Sequence, residues 1–99
     1  MSFSIVYIHG FNSSPLSHKA QLFKSWVAEN HPDITLHVPA VKPYPMDAIA
    51  QLSDLARLDE GNTGFIGSSL GGFYAVHLAE QFNAPAVLIN PSVKPFETL

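Results

Sequence analysis

Apolar residues fall along this chain in continuous runs that alternate with spaced stripes. Ile5-Val6-Tyr7-Ile8 is an unbroken β-branched and aromatic run ended by Gly10, the pattern of a strand covered on both faces. Ser14-Pro15 then offers an N-cap followed by proline at the first helical position. Leu16, Ala20, Phe23 and Val27 recur at helical spacing with Trp26 beside them, and Pro32 closes that helix. Ile34, Leu36 and Val38 alternate with Thr35 and His37, which predicts a strand with one less-buried face, near a sheet edge. The stretch from Pro39 through Pro43-Tyr44-Pro45 is too rich in proline for regular structure and reads as a loop.

Ala48, Ile49, Leu52, Leu55 and Ala56 make a second helical stripe, stopped near Gly61-Asn62. Phe65-Ile66 reads as a short strand that runs into Gly67-Ser68-Ser69-Leu70-Gly71-Gly72. A third helix follows from about Leu70 to Phe82, apolar on most of its surface. Ala86-Val87-Leu88-Ile89 is a fourth strand ended by Asn90-Pro91. The order β-α-β-α-β-α-β predicts a single α/β domain over residues 1–99, a three-layer α/β/α arrangement around a parallel sheet. The expected strand order is 2-1-3-4. That order has a switch point between the first and third strands, where ligands bind at the strand carboxyl ends. The turns after Ile8 and Ile66 would meet there.

Composition narrows the function classes. With 46% hydrophobic and 13% charged residues, the 99-residue chain has the balance of a packed domain, not of a disordered one. Its formal charge is −3, and Lys19, Lys24, Lys42, Arg57 and Lys94 are scattered. That is no footprint for nucleic acid. Without cysteine there is no disulfide, thiolate nucleophile or cysteine-ligated zinc. The N-terminus has no basic lead, and no run is long enough to span a bilayer. The expectation is a cytoplasmic protein without a membrane partner. No Gly-x-Gly-x-x-Gly fingerprint and no P-loop follows any strand, which removes the dinucleotide-binding rival. His18, His31, His37 and His77 make no metal-ligand spacing, so neither metal nor cofactor is expected.

The chemistry-bearing segment is Gly67-Ser68-Ser69-Leu70-Gly71, a Gly-x-Ser-x-Gly between a predicted strand and a predicted helix. A serine hydroxyl is a weak nucleophile unless held exposed beside a base, and a tight strand-to-helix turn does the holding. Ser69 is assigned as nucleophile because it alone has glycine at both −2 and +2 (Gly67 and Gly71); Ser68 does not. Oxyanion-hole amides come from the residue after the nucleophile and from the turn after the first strand. These point to the backbone N–H groups of Leu70 and Phe11, with His9 and Gly10 supporting the turn. His9 is read as an orienting residue, not as the general base.

At these residues the chain resembles the YqiA-like esterases of the α/β-hydrolase superfamily. The resemblance is carried by Tyr7 through Pro15, by Pro43-Tyr44-Pro45, by Gly67 through Ala75 and by Asn90 through Phe96. It implies a carboxylesterase acting on short acyl esters, a small-molecule substrate, with Ser69 as nucleophile. In that superfamily the triad runs Ser, then Asp or Glu, then His. After Ser69 only Glu80, Glu97 and His77 are available, and His77 and Glu80 lie on the helix leaving the nucleophile. The expectation is therefore that the acid and the histidine base come from a C-terminal part of the fold beyond these residues. Two rival readings stand beside it. One is a self-sufficient enzyme using His9 or a partner's histidine; the other is a non-catalytic binding domain or inactive fragment of the same fold. The apolar fourth strand is also expected to pair with a second copy, giving a homodimer through the C-terminal strand.

Overall fold

The computed structural model describes residues 3–9, 18–59, 61–68 and 71–89. They form β1 (Phe3–Ile8), α1 (His18–Asn30), β2 (Ile34–His37), α2 (Pro45–Arg57), β3 (Thr63–Ser68), α3 (Gly71–Phe82) and β4 (Ala86–Ile89). The strands make one sheet in the order β2-β1-β3-β4, and every neighbouring pair is parallel. The α/β class and the strand order are those the sequence predicts. The Ser14-Pro15 cap, Leu16 and the Asn90-Pro91 stop lie outside the described residues.

Side chains alternate along a strand, and partners in register share a face. Val6, Ile8 and Phe65 point to one face, where they meet Leu52 and Ala56 of α2 and Ala75 and Leu78 of α3. Tyr7 and Ile66 point to the other and pack on Ala20 of α1, with Phe23, Leu36 and Val38 at the border. Two helices thus cover one face and one helix the other. The α1 stripe closes less than its spacing suggests. Tyr7, Phe23 and Trp26 form a row of rings at 5.7 and 6.4 Å, but it runs outward and leaves Trp26 53% exposed.

The amino ends of the strands are closed by hydrogen bonds. The Thr63 hydroxyl lies 2.8 Å from the carbonyl oxygen of Asp59 and 3.2 Å from that of Ala56, so its one proton is shared between two carbonyls just past and at the end of α2. The Ser4 hydroxyl donates to the Asp59 carboxylate at 3.0 Å. At the end of α3, Asn83 adopts φ 52°, and the Ala84 N–H donates to the Ala79 carbonyl at 2.9 Å. This is a Schellman-type stop in which asparagine takes the position usually held by glycine.

Three boundaries differ from the sequence reading. β3 is six residues long, Thr63–Ser68, and all six are buried. Gly64 and Gly67 hide its length, because glycine carries no strand propensity, yet at Gly67 this central strand has no room for a Cβ beneath the start of α3. Pro45 belongs to α2 and not to the preceding loop; it sits in the first helical turn, where its missing N–H costs nothing. β2 stops at His37, leaving Val38 outside the strand. β2 and β4 are the edges, and β4 is the more apolar, with Val87 57% and Leu88 37% exposed.

One buried group is left over. Among the described residues the Ser53 hydroxyl, on the buried side of α2, has no hydrogen-bond partner. An unsatisfied buried hydroxyl is costly, and serine is a poorer helix former than alanine. Ser53→Ala is therefore expected to stabilise the fold by about 1 kcal/mol, read as a raised urea midpoint with an unchanged slope. A fall in the midpoint would show that the hydroxyl does bonding work.

Candidate active site

The carboxyl ends of β1 and β3 lie side by side, with Ile8 in register with Gly67. β3 ends at Ser68 and α3 starts at Gly71, so only Ser69 and Leu70 separate strand from helix. What lets α3 begin there is the absence of two side chains. A Cβ on Gly67 would stand 2.6 Å from both the Gly71 carbonyl oxygen and the Gly72 Cα. A Cβ on Gly71 would run into the Ile8 carbonyl oxygen and stand 2.8 Å from that of His9. No real Cβ tolerates such contacts. The first turn of α3 is thus pressed, backbone on backbone, against the ends of both central strands.

His9 follows β1 directly and is half-buried. Its Nε2 accepts a hydrogen bond from the Val41 N–H at 3.1 Å. A neutral imidazole has one accepting nitrogen, so this bond puts the ring proton on Nδ1. The segment carrying Val41 is held a second time, from α2. The Gln51 Oε1 accepts from the Lys42 N–H at 3.0 Å, and its Nε2 donates to the Ala40 carbonyl at 2.9 Å. Three consecutive residues of the β2–α2 connection are therefore tied by two side chains from two different elements.

The structure brings Gly67, Gly71 and His9 together at one end of the sheet. Gly10, Phe11, Ser69 and Leu70 lie outside the described residues. Ser68, the competing serine, is 8% exposed and closes β3 in register with Ile89. His77 and Glu80 are exposed on α3. Among the described residues no three His, Asp or Glu side chains gather as a metal-binding group. Sequence reasoning missed Gln51. It falls within the second helical stripe, and nothing in its spacing signals a reach back to residues 40–42.

The model of an uncharacterised protein family, UPF0227, matches residues 4–99 of the chain. The geometry of its glycines gives a direct test. Gly71→Ala is expected to cost about 3 kcal/mol or more, the upper range for overpacking a tight site. Gly72→Ala is the control, because its Cβ would meet only the Leu88 side chain, at 3.4 Å. It should be nearly neutral by urea denaturation. Equal costs would mean that the strand-end contact is not what excludes a side chain.

Proposed function

The chain belongs to the family UPF0227, and on that premise we propose that it carries the nucleophile and oxyanion half of a serine esterase of the α/β-hydrolase type, resembling the YqiA-like enzymes. The observation that carries the reading is the pair of glycines flanking Ser69 at −2 and +2. Neither position has room for a Cβ, and both lie at the carboxyl ends of the central strands. A nucleophile turn needs that close crossing of strand, turn and helix.

In this reading the Ser69 Oγ attacks the carbonyl carbon of a short acyl ester, and its proton passes to a general base. The carbonyl oxygen becomes an oxyanion and is held by the backbone N–H groups of Phe11 and Leu70. Leu70 immediately precedes α3, whose positive dipole end favours the developing charge. Collapse of the tetrahedral intermediate breaks the ester C–O bond, and the alcohol leaves with the proton from the base. Water, deprotonated by the same base, then hydrolyses the acyl-serine. His9 is not that base, because its Nε2 is already engaged by Val41. His77 and Glu80 lie on α3 with exposed side chains. The reading takes the base and its acid partner from outside these 99 residues.

In the complete protein, Ser69→Ala should remove nearly all ester hydrolysis, a loss of about 10⁶ in turnover as for other triads. It should also abolish labelling by a fluorophosphonate. Ser68→Ala should leave most of both. Labelling that survives Ser69→Ala would overturn the assignment, and a wild-type protein that neither labels nor turns over a short ester would favour a binding domain.

A second reading concerns assembly and rests on β4. Among the described residues this strand is paired on one side only, and it presents Val87 and Leu88 to solvent. An apolar open edge is a template for another strand. We propose that the 99-residue chain associates through β4 as a two-fold dimer. Val87→Lys should shift it toward monomer in light scattering at micromolar concentration. A wild-type monomer at that concentration would rule the dimer out.

A further inference from the structure

The open edge of β4 has a direction and a register as well as an apolar character. Along a strand the N–H and C=O of one residue turn to the same side, and successive residues alternate. The Phe65 N–H donates to the Pro85 carbonyl at 3.0 Å, and Phe65 is level with Ala86. In that ladder Val87 and Ile89 turn their backbone groups toward β3. Ala86 and Leu88 turn theirs outward, where no described strand meets them. Pro85, just before them, has no N–H to add.

Symmetry limits what can fill this edge. A two-fold axis lying along the strand would pair β4 with its copy in parallel but turn the copied sheet over, so that residues at one level would face opposite ways. A ladder needs partners on the same face. That leaves the axis normal to the sheet and the strands antiparallel. The outward groups of Ala86 and Leu88 then meet those of the partner completely in one register. Ala86 stands opposite the partner's Leu88, Leu88 opposite the partner's Ala86, and Val87 faces the partner's Val87 on the axis. Each of the two outer pairs exchanges both of its hydrogen bonds. Moving the axis to Leu88 keeps only one such pair within Ala86–Ile89.

The side chains agree with this register. Leu88 is level with Gly67 on the face covered by α3, where its side chain lies against Gly72. The register sets it beside a small alanine. Val87 is level with Ile66 on the other face, and the axis places this exposed side chain against its own copy. A seam of four residues is smaller than the roughly 800 Å² per partner of a stable interface, and α3 enlarges it. That helix packs on both β3 and β4, so the axis brings the two α3 helices to about 10 Å from each other, a distance at which helices pack. Val76, one turn beyond Gly72 on the flank toward β4, is exposed there, as is Phe73.

We infer that a second copy of this chain adds to β4 in one arrangement: antiparallel, with the two-fold axis on Val87 and the Val76 flanks of the α3 helices packed together across the seam. The inference rests on the β4 reading for the existence of a dimer, and adds its register and its second contact.

The chain contains no cysteine, so single replacements report the seam directly. Opposite residues that do not share hydrogen bonds stand about 4.5 Å apart at Cα, inside the range a disulfide can bridge. Val87→Cys under mild oxidation with diamide should therefore give a linked dimer on a non-reducing gel. Leu88→Cys should give at least about 10-fold less, because two copies of Leu88 are two residues out of step and about 9 Å apart, too far to bridge. Adding Val76→Glu to Val87→Cys should cut the linkage about 10-fold, since it sets like charges against each other across the seam, with the circular dichroism spectrum unchanged. Equal or stronger linkage through Leu88→Cys overturns the register, while the dimer itself, read by light scattering of the wild type, stands. A chain that scatters as a dimer but is linked by neither variant places association elsewhere and overturns the arrangement. Undiminished linkage with Val76→Glu removes α3 from the seam. A wild-type monomer at micromolar concentration removes the β4 reading and this arrangement together.

Discussion

Backbone meeting backbone without an intervening Cβ, where α3 starts against the ends of β1 and β3, is the contact on which this fold is organised. Gly67 and Gly71 bring it about. Because only two residues separate β3 from α3, the link is short and the helix lies over β3 and β4 instead of standing away from the sheet. That placement puts Ala75 and Leu78 on top of Val6, Ile8 and Phe65, which are the centre of the larger core. Packing and the candidate chemistry therefore share a cause, and a methyl group at Gly71 would disturb both.

The second ordering element is polar. At the carboxyl ends of the strands, His9 and Gln51 hold the β2–α2 connection by its backbone. At the amino ends, Thr63 and Ser4 tie the α2–β3 connection to the sheet, with Asp59 as shared partner. At each end of the sheet, side chains thus bond backbone or carboxylate groups of a connection. Such bonds are individually worth about 1 kcal/mol, so their value lies in direction. Hydrophobic burial brings α2 onto the sheet, and these bonds decide how its two connections run.

Much of this was legible in the residue pattern, and the misses share an origin. β1 and β4 were readable because nothing but apolar residues fills them, and the parallel order followed from the alternation of strands and helices. The full length of β3 is hidden because its glycines contribute by the side chain they lack. Pro45 looks like a loop residue because proline is a breaker in general, and only its position in the first turn makes it a helix residue. The Gly-x-Ser-x-Gly segment announced where the two central strands and α3 converge. Gln51 was invisible, since a hydrogen bond to a backbone nine residues away leaves no periodic mark.

The two faces of the sheet are unequally built, and this bears on how the molecule opens. Among the described residues, the core cluster on the face covered by α2 and α3 has seven buried apolar residues, whereas that on the α1 face has three, Tyr7, Ala20 and Ile66, with Val27 of α1 buried outside it. Helices held by little buried surface open at a free energy well below that of global unfolding. Amide protons of α1 will then exchange with solvent through sub-global detachment of that helix, while those of β1 and β3 wait for the whole domain to come apart. The sheet with its two-helix face is then expected to come apart as one unit, with α1 detaching ahead of it.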